Sequence, residues 1–167
     1  TEALLDCRLV LLRAPAGFGK TSLMAAQLAR LPPGTALAWV SLDADDDAQR
    51  LFACLTAALE PYDLPWRTAP EALVAQLVDD GPGLRRAVAE LVNALAGAES
   101  PRGVIVLDDL HRVVHASAHR LLEALIERLP ARWSLMLASR VDPPLALARL
   151  RVAGDMAEFT QDDLRFN

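Results

Sequence analysis

Four short apolar runs, separated by segments of helical period, leave few folds open to this chain. They are Leu9-Val10-Leu11-Leu12, Ala36-Leu37-Ala38-Trp39-Val40, Val104-Ile105-Val106-Leu107 and Leu135-Met136-Leu137-Ala138. None alternates polar with apolar, which is the pattern of strands buried on both faces of a parallel sheet. A fifth run, Asp155-Met156-Ala157-Glu158-Phe159-Thr160, mixes polarity as an edge strand does. Between the runs, apolar residues return at helical spacing. One set is Leu51, Phe52, Leu55, Ala58 and Leu59, a second Leu84, Val88, Leu91, Val92 and Leu95, and a third Leu121, Leu122, Leu125, Ile126 and Leu129. Asp46 with Gln49 predicts a capping box for the first of these helices, and Ser117 predicts a cap for the last. Pro61, Pro65 and Gly81-Pro82-Gly83 punctuate the stretch between the second and third strands, which has room for two or three helices. Strand alternating with helix implies an α/β fold with a parallel sheet and right-handed crossovers, in one domain spanning 1–167.

Composition narrows the function classes. With 53% hydrophobic and 23% charged residues the chain is globular. No apolar run reaches the roughly 18 residues of a membrane span. The start, Thr1-Glu2-Ala3-Leu4-Leu5-Asp6, has neither the basic segment nor the apolar core of a signal peptide, and the lack of an initiator Met suggests a piece of a longer polypeptide. Cys7 and Cys54 sit in apolar patterns without metal-ligand spacing, so buried thiols in a reducing cytoplasm are expected. A net charge of −5 and arginines scattered without a stripe give no footprint for duplex DNA on this segment.

The first apolar run leads directly into Ala14-Pro15-Ala16-Gly17-Phe18-Gly19-Lys20-Thr21, followed by the amphipathic Leu23-Met24-Ala25-Ala26-Gln27-Leu28. A phosphate cradle needs a tight loop whose backbone N–H groups point inward, which Gly17 and Gly19 permit. It needs a lysine for the β- and γ-phosphates, here Lys20, and a hydroxyl for Mg²⁺, here Thr21; the following helix N-terminus adds positive potential. The motif's first glycine is replaced by Ala14, a modest backbone restriction. Residues expected to contact ATP or ADP are Ala16, Gly17, Phe18, Gly19, Lys20, Thr21 and Ser22.

The third run ends in Asp108-Asp109. A buried strand ending in carboxylates brings negative charge to the mouth of the sheet, where open α/β folds bind ligands. Asp108 is the candidate second Mg²⁺ group, and Asp109 the candidate for orienting or activating a water. The fourth run ends Ser139-Arg140, and a strand-end arginine at the same edge can approach a γ-phosphate. Lys20, Asp109 and Arg140 are therefore the candidate catalytic set. His111, His115 and His119 recur every four residues, but a cap at Ser117 would leave the first two in a loop and spoil a helical metal site. Asp43, Asp45 and Asp47 open like a calcium loop, yet Ala48 and Cys54 stand where its glycine and glutamate belong. Trp39, Trp66 and Trp133 are too dispersed for a base-stacking platform and are expected to pack.

Several strings together resemble one family. They are Leu-Leu-Arg-Ala-Pro-Ala-Gly-Phe-Gly-Lys-Thr (11–21), Ala-Trp-Val-Ser-Leu-Asp (38–43), Val-Leu-Asp-Asp-Leu-His (106–111), Leu-Ala-Ser-Arg-Val-Asp-Pro-Pro-Leu-Ala-Leu-Ala-Arg-Leu-Arg (137–151) and Asp-Leu-Arg-Phe (163–166). The chain resembles the N-terminal NTPase domain of large ATP-binding regulators of the LuxR type, in the STAND class of signal-transduction NTPases, relatives of the AAA+ ATPases. The resemblance implies a P-loop NTPase three-layer sandwich with a five-stranded sheet ordered 5-1-4-3-2, and with Arg140's strand between those of the phosphate loop and the acidic pair. It implies a following winged-helix lid, a helical-repeat sensor for an inducer and a C-terminal helix-turn-helix that binds DNA. It also implies an ADP-bound resting form, and self-association with transcription activation when ATP and inducer are bound. The family's phosphate-loop, Mg²⁺ and sensor roles fall on Lys20, Thr21, Asp108, Asp109 and Arg140. An AAA+-like transport or remodelling ATPase is the alternative, and would need a trans-acting arginine and fast turnover. A degenerate, non-enzymatic interaction module is the third reading; Lys20, Thr21 and Asp108 stand against it.

Overall fold

The computed structural model describes residues 7–13, 24–26, 28–78 and 81–160. Five strands, β1 (Leu9–Arg13), β2 (Ala36–Ser41), β3 (Gly103–Asp108), β4 (Trp133–Ser139) and β5 (Met156–Phe159), form one sheet in the order β2-β3-β4-β1-β5. Every neighbouring pair is parallel. Read from the other edge this is 5-1-4-3-2, as the family resemblance implies. Among the described residues, helices with assigned bounds are α1 (Ala48–Leu59), α2 (Pro70–Gln76), α3 (Pro82–Ala96), α4 (Ala116–Arg128) and α5 (Ala148–Ala153). The β2–β3 crossover therefore holds three helices and a 3₁₀ turn, Glu60–Tyr62.

The unbroken apolar runs are explained by burial on two faces. Leu9, Leu11, Ile105, Leu107, Leu135 and Leu137 join one core with the apolar sides of α1, α3 and α4. Val10, Leu12, Val104, Val106, Met136 and Ala138 point the other way and meet Met24 and Leu28, helical residues downstream of the glycine-rich loop. Alternate residues thus serve opposite layers, and all are apolar because neither layer is wet. β5 forms one edge beside β1, with half-buried and exposed residues. At the other edge Tyr62 covers β2: its hydroxyl donates to the Leu37 carbonyl (2.7 Å) and accepts from the Leu37 N–H (2.8 Å). This satisfies backbone groups that no strand pairs.

Local details differ from the sequence expectations in three places. Asp47, not Asp46, caps α1, accepting from the Arg50 N–H at 2.9 Å. Asp46 is instead buried and accepts from the Asp43 N–H at 2.8 Å, so it holds the preceding loop together. Ser117 does not cap its own helix: His115 occupies that position without a side-chain bond, and Ser117 Oγ accepts from Ala48 N–H at the start of α1 (3.1 Å). The hydroxyl satisfies an orphan N–H of a neighbouring helix. Finally, Cys7 and Cys54 are half-buried rather than buried. Burial, with Asp46 nearby, still pushes the Cys54 thiol above its ordinary pKa.

Of the three tryptophans, Trp39 and Trp66 pack half-buried against the two cores, while Trp133 is buried and donates from Nε1 to the Leu95 carbonyl at 2.9 Å. Its ring lies over Gly103, where a Cβ would come within 2.4 Å of ring carbons. Gly154 ends α5 at φ 75°, a left-handed position suited to glycine. No helix among the described residues is long and apolar enough to cross a membrane. Gly103→Ala must displace a ring held by its own hydrogen bond, so we expect it to destabilise the domain by about 1–3 kcal/mol. Denaturant unfolding measures this, and a variant of wild-type stability would show that the ring can move freely.

Candidate functional site

All five strands are parallel, so their C-terminal ends share one edge of the sheet. β1 ends there at Arg13, and the glycine-rich loop begins at the next residue. Residues 14–23 lie outside the described residues, and with them Ala16, Gly17, Phe18, Gly19, Lys20, Thr21 and Ser22. Asp108, Asp109 and Arg140 are described, and the fold brings them to this same edge.

Asp108 is the last residue of β3, paired with Ser41 and only 6% exposed. It continues the row of Val104 and Val106, so it belongs to the layer that contains Met24 and Leu28. One rung beyond the Leu107–Leu137 pair, its neighbour on β4 is Ala138, which in turn pairs with Leu12. A carboxylate, a methyl group and an isobutyl group thus occupy one rung. Asp108 Oδ1 accepts from the Asp109 N–H at 2.8 Å. A buried carboxylate oxygen at this edge has the hard-donor chemistry that Mg²⁺ takes.

Asp109 is half-buried and adopts φ 58°, ψ 38°, the left-handed region. Asp tolerates this conformation better than most residues, though at a cost. It stands at the start of a 3₁₀ turn, Leu110–Arg112, without a side-chain bond to it.

Arg140 follows β4, and its side chain is exposed. β4 lies between β1 and β3, so Arg140 emerges between the C-terminal ends of β1 and β3. Its backbone N–H donates to His111 Nδ1 at 3.3 Å. His111 thereby ties the β3 exit to the β4 exit, a role the four-residue histidine spacing conceals. The three histidines are not arranged together: His111 is in the 3₁₀ turn, His115 at the N-cap of α4, and His119 within α4. Burial lowers the His119 pKa, with Glu123 opposing. At the same edge Arg13 pairs with Asp142, NH1 to Oδ1 at 3.0 Å. These residues are 129 positions apart, and nothing in the two sequence strings that contain them links one to the other.

A cleft of about 570 Å³ between α4 and α5 is lined by Arg8, Glu123, Leu147, Arg149 and Asp155, among others. Arg8 and Asp155 precede the first residues of β1 and β5, so this cleft is at the opposite edge. Open α/β sheets bind ligands at the C-terminal edge, which favours the Asp108 side.

A family model described as an AAA ATPase domain matches residues 3–138. The chain belongs to the AAA ATPase domain family. It is also similar to HTH-type transcriptional regulators named MalT. The relative from Yersinia enterocolitica is 31% identical over 161 residues, covering 96% of this chain and 17% of that protein. The relative from Klebsiella pneumoniae is 32% identical over 160 residues, with 95% and 17% coverage. The chain thus spans about one-sixth of the length of these curated relatives. Among solved structures, a chain of Drosophila ORC bound to AT-rich DNA and Cdc6 aligns with a TM-score of 0.60 at 12% identity, over 96% of this chain and 51% of that one. A second, bound to GC-rich DNA, gives a TM-score of 0.54 at 11% identity, over 95% and 50%. At these identities the likeness concerns fold alone. AAA membership makes this an ATPase domain fold, built to bind nucleotide.

The His111–Arg140 bond has a direct consequence. His111→Ala removes the acceptor, and we expect amide hydrogen exchange at Arg140 to quicken several-fold while the centre of β4 keeps its protection. Unchanged exchange at Arg140 would mean that the bond is idle.

Proposed function

We propose that this domain is the ATP/ADP-binding switch of a transcriptional activator, in which slow Mg²⁺-dependent hydrolysis of ATP controls self-association. The observation that carries the reading is the convergence of Asp108, Asp109 and Arg140 on the edge where β1 runs into the glycine-rich loop. Similarity to MalT regulators over nearly the whole chain supports the regulatory half.

In this reading residues 16–22 wrap the phosphates of an adenine nucleotide, with Lys20 contributing the positive side chain. Thr21 and Asp108 hold Mg²⁺, which would offset the phosphate charge. Asp109 orients or deprotonates the attacking water, and its left-handed backbone is the kind of strain found at functional sites. Arg140 bears on the γ-phosphate, a group ATP has and ADP lacks. An exposed arginine suits a sensor, since a ligand shifts a two-state protein only through differential affinity for the two states. Residues 1–167 form one NTPase domain of a longer cytoplasmic protein. DNA contact belongs to a C-terminal domain beyond them, consistent with the −5 charge here.

Two variants separate binding from chemistry. Lys20→Ala removes a charge-assisted contact, and we expect calorimetry in the full-length protein to show Mg-ATP affinity falling about tenfold or more. Asp109→Asn keeps shape and loses the proton acceptor, so turnover should fall while affinity stays within about twofold. Equal affinity in wild type and Lys20→Ala would sink the phosphate-loop assignment; unchanged turnover in Asp109→Asn would move the base elsewhere.

A further inference from the structure

Arg140 and Val141, the first residues after β4, make long backbone hydrogen bonds, whereas Ala146 and Leu147 further on are tied to Glu123 and the core. The Arg140 N–H reaches His111 Nδ1 at 3.3 Å and the Val141 N–H reaches Ser139 Oγ at 3.4 Å, both long bonds. Val141 is 59% exposed and gives little apolar anchorage. Among the described residues, a shorter contact at this end is ionic: Arg13 NH1 to Asp142 Oδ1, 3.0 Å. Its two ends have distinct attachments. Arg13 is the residue before the glycine-rich loop and pairs with Ser139 in the ladder. Asp142 follows Arg140 by two residues and precedes Pro143 and Pro144, whose fixed φ stiffens what comes next.

We propose that the Arg13–Asp142 ion pair is a positioning pair: it ties Arg140's segment to the stem of the phosphate loop, and so sets how well Arg140 tells ATP from ADP. The inference rests on the sensing role proposed above for Arg140.

The pair belongs to a larger set of charges. Arg151 NH2 meets Glu158 Oε1 at 2.8 Å, joining α5 to β5. The Arg13 guanidinium helps to lower the Glu158 pKa, after the larger effect of Arg151, and Asp142 helps to raise that of Arg151. Four alternating charges therefore connect β1, the β4 exit, α5 and β5. Both members of the Arg13–Asp142 pair are partly solvated, with side chains 32% and 67% exposed. Its contribution to global stability is small for that reason, and its effect is local to the segment it holds.

Charge and position can be distinguished by sign. If the pair acted only through its field, Arg13→Gln would remove positive charge near the phosphates and weaken ATP relative to ADP. Asp142→Asn would remove negative charge and strengthen it. If the pair acts by position, both variants release Arg140 and both lower the ratio of ATP to ADP affinity. We expect a fall of roughly two- to fivefold in each, the scale of an exposed pair. Asp142→Glu, which keeps the charge, should hold most of the wild-type ratio. Thermal midpoints should move by no more than about 2 °C.

The experiment is calorimetry of Mg-ATP and Mg-ADP on the full-length protein and these three variants, with Arg140→Ala alongside. Opposite shifts in Arg13→Gln and Asp142→Asn, or no shift in either, overturn the positioning role. If Arg140→Ala lowers the ratio while the pair variants do not, the sensing role stands and this inference alone falls. If Arg140→Ala leaves the ratio unchanged, or the wild type binds neither nucleotide, both fall together.

Discussion

The sheet is covered on both faces, and the positions of its polar groups follow from that. β1, β3 and β4 spend their backbone groups on parallel ladders, and their side chains enter two apolar layers. An unpaired polar side chain mid-strand would cost several kcal/mol. Polar side chains therefore cluster at strand ends, and Arg13, Asp108 and Ser139 are each the last residue of their strands. Parallel direction then brings those ends to one edge. The site is where the fold permits charge.

The same constraint explains what the sequence made legible. Unbroken apolar runs favour strands buried on both faces, as β1, β3 and β4 are, whereas the edge strand β2 is fully buried only at alternate residues. Asp108 and Asp109 stood out because they interrupt such a run. Features resting on one weak contact were harder to see. None of α5's residues is buried, so no apolar period marks it. The cap of α1 moved by one residue because Asp46 and Asp47 compete, and the fold gives Asp46 to the Asp43 loop. Ser117 looked like a cap for the helix that contains it, yet it serves α1, a choice made by helix packing rather than by local sequence. The Arg13–Asp142 and His111–Arg140 links join distant positions, and their geometry exists only once β1, β3 and β4 are aligned.

Family and geometry bear on different questions. AAA membership fixes the kind of ligand the fold is built for, and the strand ends supply the side chains proposed to meet it. The regulatory reading draws on relatives about six times as long as this chain. A switch of that kind needs a nucleotide site whose two occupied states differ mechanically. In the proposed reading Arg140 supplies such a difference, because the γ-phosphate would give it a partner that ADP lacks.

The central claim is that nucleotide binds at the C-terminal edge of β1, β3 and β4. Assigned amide NMR spectra, titrated with Mg-ADP, test it most directly. The account predicts that the largest shifts gather at Asp108, Asp109 and His111, at Ser139, Arg140 and Asp142, and at Arg13. Arg8, Glu123 and Asp155, in the cleft at the opposite edge, should barely move. Shifts centred on that cleft, or none at millimolar nucleotide, would contradict it.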